Sequence, residues 1–148
     1  MIVAEGPVPG RIGVVVSTFN EAITRPMRDE AVRVLTAAGV GEVPVFEVLG
    51  ALEIPVAALA LIERGGCAGV VAVGAVIKGE TDHYDHVAAA ATRGISDVAL
   101  RTGAPVGNAV LTVREYEHAV ERSRPGPGNK GAEAAEAVLA VSRRLASL

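Results

Sequence analysis

Short runs of β-branched residues alternate along this chain with Ala-rich stretches whose apolar positions recur at helical spacing. Strands covered on both faces read as unbroken apolar runs, whereas the helices that cover them keep one polar side, so the alternation describes parallel strands joined by crossover helices. IGVVVS, from Ile12 to Ser17, reads as a central strand; VPVFEVLG is a second, edged by Pro44; GVVAVGAVI is a third and PVGNAVLTV a fourth. Between the first two, TRPMRDEAVRVLTAAG predicts a helix capped by Thr24, with Pro26 in its first turn, a stripe of Ala31, Val34, Leu35 and Ala38, and Gly39 at its end. EIPVAALALIERGG repeats that grammar with Pro55 near the start and a Gly65-Gly66 stop. An Ala-rich helix runs from His83 to Thr102 and closes at Gly103, and two more helices flank the loop RSRPGPGNKG. There is no internal repeat, linker or low-complexity block. The expectation is one α/β domain over residues 1–148, a four-stranded parallel sheet between two helical layers. Its ligands belong where strand ends meet helix starts, in STFNE, LGALE, IKGETDH and TVREY.

Composition narrows the partners. With 14 basic and 17 acidic residues the net charge is -3 and the isoelectric point about 5.6, which leaves no electrostatic footprint for nucleic acid. The longest apolar runs, Ile54 to Ile62 and Gly69 to Ile77, are about half the ~20 residues of a membrane helix. Cys67 is the single cysteine, so no intrachain disulfide forms, and MIVAEGPVPGR carries no basic region followed by an apolar stretch. A cytoplasmic protein handling small molecules is the expectation. The aromatic residues are two Phe and two Tyr, and 50% of the chain is apolar. Small side chains bury little area each, so this composition describes either a Val/Ala core or helix faces covered by further subunits, and favours self-association.

Ionisable groups concentrate in AVIKGETDHYDH, residues 75 to 86. Gly79 lets the chain leave the third strand tightly, and Thr81 or Asp82 can cap the helix from His83, with Asp85 three residues on completing a capping box. The same helix start offers unpaired N–H groups and a partial positive charge, hence an anion or phosphate site with the Thr81 hydroxyl beside it and a histidine able to exchange protons near neutral pH. His83 and His86 share a helix face and Asp82 and Asp85 alternate with them, which keeps a metal in view, although no third ligand cluster of recognisable spacing accompanies them. There is no G-x-G-x-x-G after the first strand and no G-K-[ST] for a triphosphate. The first and third strands end in Ser17-Thr18 and Ile77-Lys78, without the carboxylates a response regulator needs, and STFNEAIT lacks the glycine of a flavodoxin phosphate loop.

Four motifs in order, FNEAIT, GALEIP, GAVIKGETDHYDHV and ER…GNKGAEAA, resemble the 6,7-dimethyl-8-ribityllumazine synthases of riboflavin biosynthesis over nearly the whole chain. The resemblance implies a flavodoxin-like three-layer α/β/α sandwich. It also implies a transferase that condenses 5-amino-6-ribitylaminouracil with 3,4-dihydroxy-2-butanone 4-phosphate, releasing phosphate and water, with no metal and no organic cofactor. Phe19 is similar to the aromatic that stacks on the pyrimidine ring, with Asn20 beside it. Glu53, with the backbone of Ala51 and Leu52, resembles the carboxylate that holds ribityl hydroxyls, while on its own it reads as the acidic start of a helix. Val76 and Ile77 would line the ring site through their backbone, Gly79, Glu80 and Thr81 would receive the phosphate, and His83 would move protons. Arg122 and Lys130 would come from a neighbouring subunit and clamp the phosphate, although each alone reads as solvated surface.

Most bacterial members of that family carry Arg at the Thr18 position, an aromatic at Leu52, Arg at Lys78, Phe at Asn108 and Lys at Gly126. The missing aromatics thin the apolar wall around the ring, and Asn108 could instead hydrogen-bond a more polar ligand. The implied assembly is a homopentamer, and in many family members twelve pentamers close into an icosahedral capsid of 60 subunits. Pro125 and Pro127 stiffen the connection that sets this choice, and Pro7 and Pro9 interrupt the segment within residues 1–10 that usually adds a strand to a neighbour's sheet. The alternative reading is a non-catalytic relative that binds a lumazine or flavin or builds a shell.

Overall fold

A computed structural model describes residues 6–8 and 10–148. Most of the proposed strand-donating segment, Pro9 included, lies outside the described residues. The four strands are β1 (Arg11–Ser17), β2 (Val45–Val48), β3 (Cys67–Ile77) and β4 (Val106–Val113). They pair in parallel in the order β2-β1-β3-β4. The helices are α1 (Glu21–Ala37), α2 (Ile54–Glu63), α3 (His83–Thr102), α4 (Tyr116–Ser123) and α5 (Lys130–Ala146), with a single 3-10 turn at Ala51–Glu53 ahead of α2. This is the three-layer α/β/α arrangement that the alternation of runs predicts, and the flavodoxin-like sandwich that the resemblance implies.

Each face of the sheet carries its own core. Ile12, Val14 and Val16 of β1 and Val71 and Val73 of β3 meet Met27, Leu35, Val138 and Leu139 under α1 and α5. Val15, Val70, Ala72 and Val76 point the other way, onto Ile54, Ala58, Ala91 and Ile95 of α2 and α3. The period of two along each strand therefore sorts the β-branched residues between two cores. The helices sit close because glycine stands at the crossings. A Cβ at Gly131 of α5 would overlap the Met27 carbonyl of α1, and one at Gly94 of α3 would meet Pro55 Cγ of α2 at 2.5 Å. These two close approaches set the α1–α5 and α2–α3 spacings, one on each face of the sheet.

The first helix begins earlier than its sequence pattern predicts. Asn20 takes the cap position in a left-handed conformation, φ 62°, and its carbonyl accepts the Ile23 and Thr24 N–H groups. Thr24 is therefore inside the helix and fully buried, its hydroxyl donating to the Ser17 carbonyl at 2.7 Å. Pro26 lies in the helix body rather than the first turn, where it withholds an N–H from the Ala22 carbonyl. The buried stripe is Ile23, Thr24, Met27, Ala31 and Leu35, with Val34 and Ala38 half-buried at its margin.

Two further expectations are corrected at α3. Asp82 holds the cap position without a side-chain hydrogen bond, so no capping box with Asp85 forms; Thr81 Oγ1 accepts the His83 N–H instead, at 3.3 Å. Gly79 does not take a positive φ, and a Cβ there would meet nothing within 4 Å. The tight exit from β3 does not require a glycine; its missing side chain leaves open space instead.

Candidate functional site

At the carboxyl ends of β1, β2 and β3 a cleft of about 410 Å³ opens toward the α2–α3 side. Its floor is the last turn of β3, Ala75 to Ile77, and its walls are the 3-10 turn on one side and the start of α3 on the other. Of the residues that the sequence singles out, Phe19, Ala51, Leu52, Glu53, Val76, Ile77, Gly79, Thr81 and His83 line it. Three segments far apart in sequence thus meet at the rim that the parallel topology designates for ligands.

The chemistry of the cleft is built in layers. Phe19 is 70% exposed, and its ring is free to take a planar ligand. Main-chain bonds hold its backbone, with Thr18 N donating to the Val48 carbonyl at 2.8 Å and Phe19 N to the Leu49 carbonyl at 3.0 Å. Glu53 Oε1 accepts the Gly50 N–H at 3.0 Å. The carboxylate serves the helix start and still has its second oxygen for hydroxyl donors. Because Thr81 Oγ1 accepts from the His83 N–H, its own O–H remains available to donate into the cleft. His83 is exposed at the lip.

Arg122, Lys130 and Asn108 do not join this group. They line a separate hollow of about 480 Å³ along β4 and the α4–α5 side, together with Thr112 and Glu133. Arg122 Nη1 donates to the His118 carbonyl at 3.0 Å, and Lys130 Nζ pairs with Glu133 Oε2 at 2.8 Å. Their mutual placement rests on Asn129, which is 1% exposed. Its Oδ1 accepts the Ala132 N–H and its Nδ2 donates to the Ser123 and Arg124 carbonyls, so one side chain ties the end of α4 to the start of α5. Asn108 Oδ1 accepts the Val110 N–H at 2.9 Å, leaving its NH₂ as the free end. The hollow is thus edged by two cations, a neutral donor and the Glu133 carboxylate that pairs with Lys130. It has no lining residue in common with the cleft.

A model of the 6,7-dimethyl-8-ribityllumazine synthase family matches residues 9–146. The chain belongs to that family. Lumazine synthases are transferases of riboflavin biosynthesis acting on small molecules, and membership accounts for the sandwich fold seen here. Among the described residues no helix is long and apolar enough to cross a membrane.

Against that family background, three residues depart from their sequence-based placement. Glu80 is exposed on the turn but does not line the cleft, and neither does Asn20, whose side-chain amide donates to the Ala75 carbonyl at 3.3 Å. Asn108 faces the separate hollow. Four cleft residues lie within the motifs quoted from the sequence but were given no role of their own there: Gly50, Ala75, Tyr84 and Val87. Tyr84 and Val87 follow His83 at one and four positions, so helical spacing from the histidine was a usable sign for Val87.

Proposed function

We propose that this protein is a working lumazine synthase, joining 5-amino-6-ribitylaminouracil to 3,4-dihydroxy-2-butanone 4-phosphate with loss of phosphate and water. The observation that carries this reading is the exposed Phe19 ring over a cleft that also holds Glu53, Thr81 and His83. In it the pyrimidine stacks on Phe19, the backbone of Val76 and Ile77 borders the ring, and the ribityl hydroxyls reach Glu53 and the backbone of Ala51 and Leu52. The phosphate ester lies by Gly79, Glu80 and Thr81. The arrangement asks for no metal and no organic cofactor.

The 5-amino group of the pyrimidine attacks the C2 carbonyl and water leaves as the imine forms; loss of the C3 proton expels phosphate from C4, the resulting enol becomes a C3 ketone, and the ribitylamino nitrogen closes the ring on that ketone with loss of a second water. His83 moves protons in these steps. Developing negative charge on the departing phosphate calls for cations, and Arg122 and Lys130 are the candidates, with Asn108 beside them. Since they edge a different hollow of the same chain, this reading takes them from a neighbouring copy, and a homopentamer that closes its sites between subunits follows from it. Holding two substrates in register supplies much of the rate, so no strong nucleophile is needed.

The test is direct. Wild-type protein incubated with both substrates is expected to yield the green-fluorescent lumazine. Absence of product, with retained binding of riboflavin or a lumazine, would replace the enzyme with a ligand-binding or shell-forming relative. Shared sites are tested by co-refolding inactive His83→Ala and Arg122→Ala chains: mixed assemblies regain activity if the two groups meet across an interface, and stay inactive if each site is complete within one subunit.

A further inference from the structure

Resting on that functional reading, we infer that Asn20 is a positioning residue which sets the Phe19 ring over the cleft, rather than a group that touches the substrate. Three observations converge on it. Asn20 is the only non-glycine with positive φ among the described residues, in a conformation that asparagine tolerates better than most side chains but that still needs support from its surroundings. The support is its own amide, whose Nδ2 donates to the Ala75 carbonyl at 3.3 Å. That carbonyl lies where β3 has outrun its neighbour: the β1–β3 ladder ends at Val16 and Val73, while β3 continues to Ile77. The Asn20 amide therefore stands in for the missing strand partner.

The consequence reaches Phe19 through one peptide unit. Phe19 N is held by the Leu49 carbonyl on the β2 side, and Asn20 anchors the next residue on the β3 side. The turn that carries the ring is braced across both neighbouring strand ends, and the left-handed step at Asn20 sends the chain into α1 while Phe19 stays exposed. A ring that is 70% exposed depends largely on its backbone for its aim.

A double-mutant cycle tests this. Asn20→Gly keeps the left-handed backbone and deletes the tether; Asn20→Asp keeps the backbone preference and sets an acceptor against the Ala75 carbonyl. Both are expected to raise KM for 5-amino-6-ribitylaminouracil about tenfold, the scale of a lost stacking contact, with KM for the phosphorylated substrate and the melting temperature little changed. Combined with Phe19→Ala, Asn20→Gly is expected to add nothing further. Additive effects in the cycle, or an unchanged ring-substrate KM in both single variants, would overturn the inference while leaving the activity of the wild type, and so the functional reading, intact. A wild type without activity would count against the reading itself; riboflavin binding by the same four proteins then reads the cycle without catalysis.

Discussion

Glu53 Oε1 accepts the N–H of Gly50 at 3.0 Å, so the carboxylate proposed to hold the ribityl chain is also the group that fastens the turn beneath it. The two duties separate by substitution. Glu53→Gln keeps a carbonyl oxygen for the Gly50 N–H but removes the charge, and charge-assisted hydrogen bonds contribute about 1.5–3 kcal/mol. The expected outcome is a rise of tenfold or more in KM for the ribityl substrate with a melting temperature near wild type. Glu53→Ala is expected to lower both affinity and melting temperature.

His83 has no packing duty, being exposed at the lip of the cleft. His83→Ala is expected to lower kcat by about 10²-fold or more, the range for loss of a positioned acid/base group, with an unchanged circular dichroism spectrum. An unaltered kcat would remove it from the chemistry.

For Arg122, whose guanidinium is bound among the described residues to the His118 carbonyl and loosely to Glu121 at 3.9 Å, replacement by alanine is expected to act mainly on the phosphorylated substrate. Its KM should rise while that of the ribityl substrate stays put, and Arg122→Lys should recover part of the loss. Steady-state kinetics varying each substrate in turn makes the comparison.

Asn129 is buried and uses both ends of its amide to join α4 to α5. Asn129→Ala loses a helix cap and strands the buried Ser123 carbonyl, at a cost of about 2 kcal/mol. For a chain of this size that corresponds to a fall of about 4–8 °C in Tm by calorimetry. Because the same residue sets Arg122 against Lys130, activity should fall at temperatures where the variant is still folded.

Glu30 on α1 receives both nitrogens of the Arg33 fork and, at 3.4 Å, the Gly126 N–H of the loop ahead of α5. The Arg33 hydrogen bonds, assisted by that of Gly126, hold its carboxyl below the usual carboxylate range. A depressed folded-state pKa stabilises the protein at pH values above the unfolded-state pKa, and that contribution disappears as pH falls through the folded-state value. Denaturation midpoints of Glu30→Gln and wild type should therefore differ at pH 7 and converge as the solution is taken below pH 4. A constant gap across the range would contradict the assignment.

The strands and the helices from Pro55 onward were legible because their cues are local: β-branched runs, Pro in a first turn, Gly65 and Gly103 past the ends. The start of α1 was not, since Thr24 looks like a cap in isolation and only the Ser17 carbonyl, reached in three dimensions, shows that its hydroxyl turns inward. The cleft residues could be grouped because the parallel topology gathers every βα junction on one rim. That Asn108, Arg122 and Lys130 edge a second hollow is a matter of which side of β4 they take, and periodicity alone does not connect α4 and α5 to that edge. Asn20 was marked in the sequence only as the neighbour of Phe19, because its hydrogen bond reaches the Ala75 carbonyl 55 positions away and has no local cue.

The open space at Gly79 has a consequence for engineering. Since a methyl group there would touch nothing of the protein, small side chains at this position could be introduced at little cost to folding, each removing room only from whatever enters the cleft. A graded series from alanine to valine would act as a ruler laid inside the pocket, reporting how near an occupant comes to the chain without any need to see it bound.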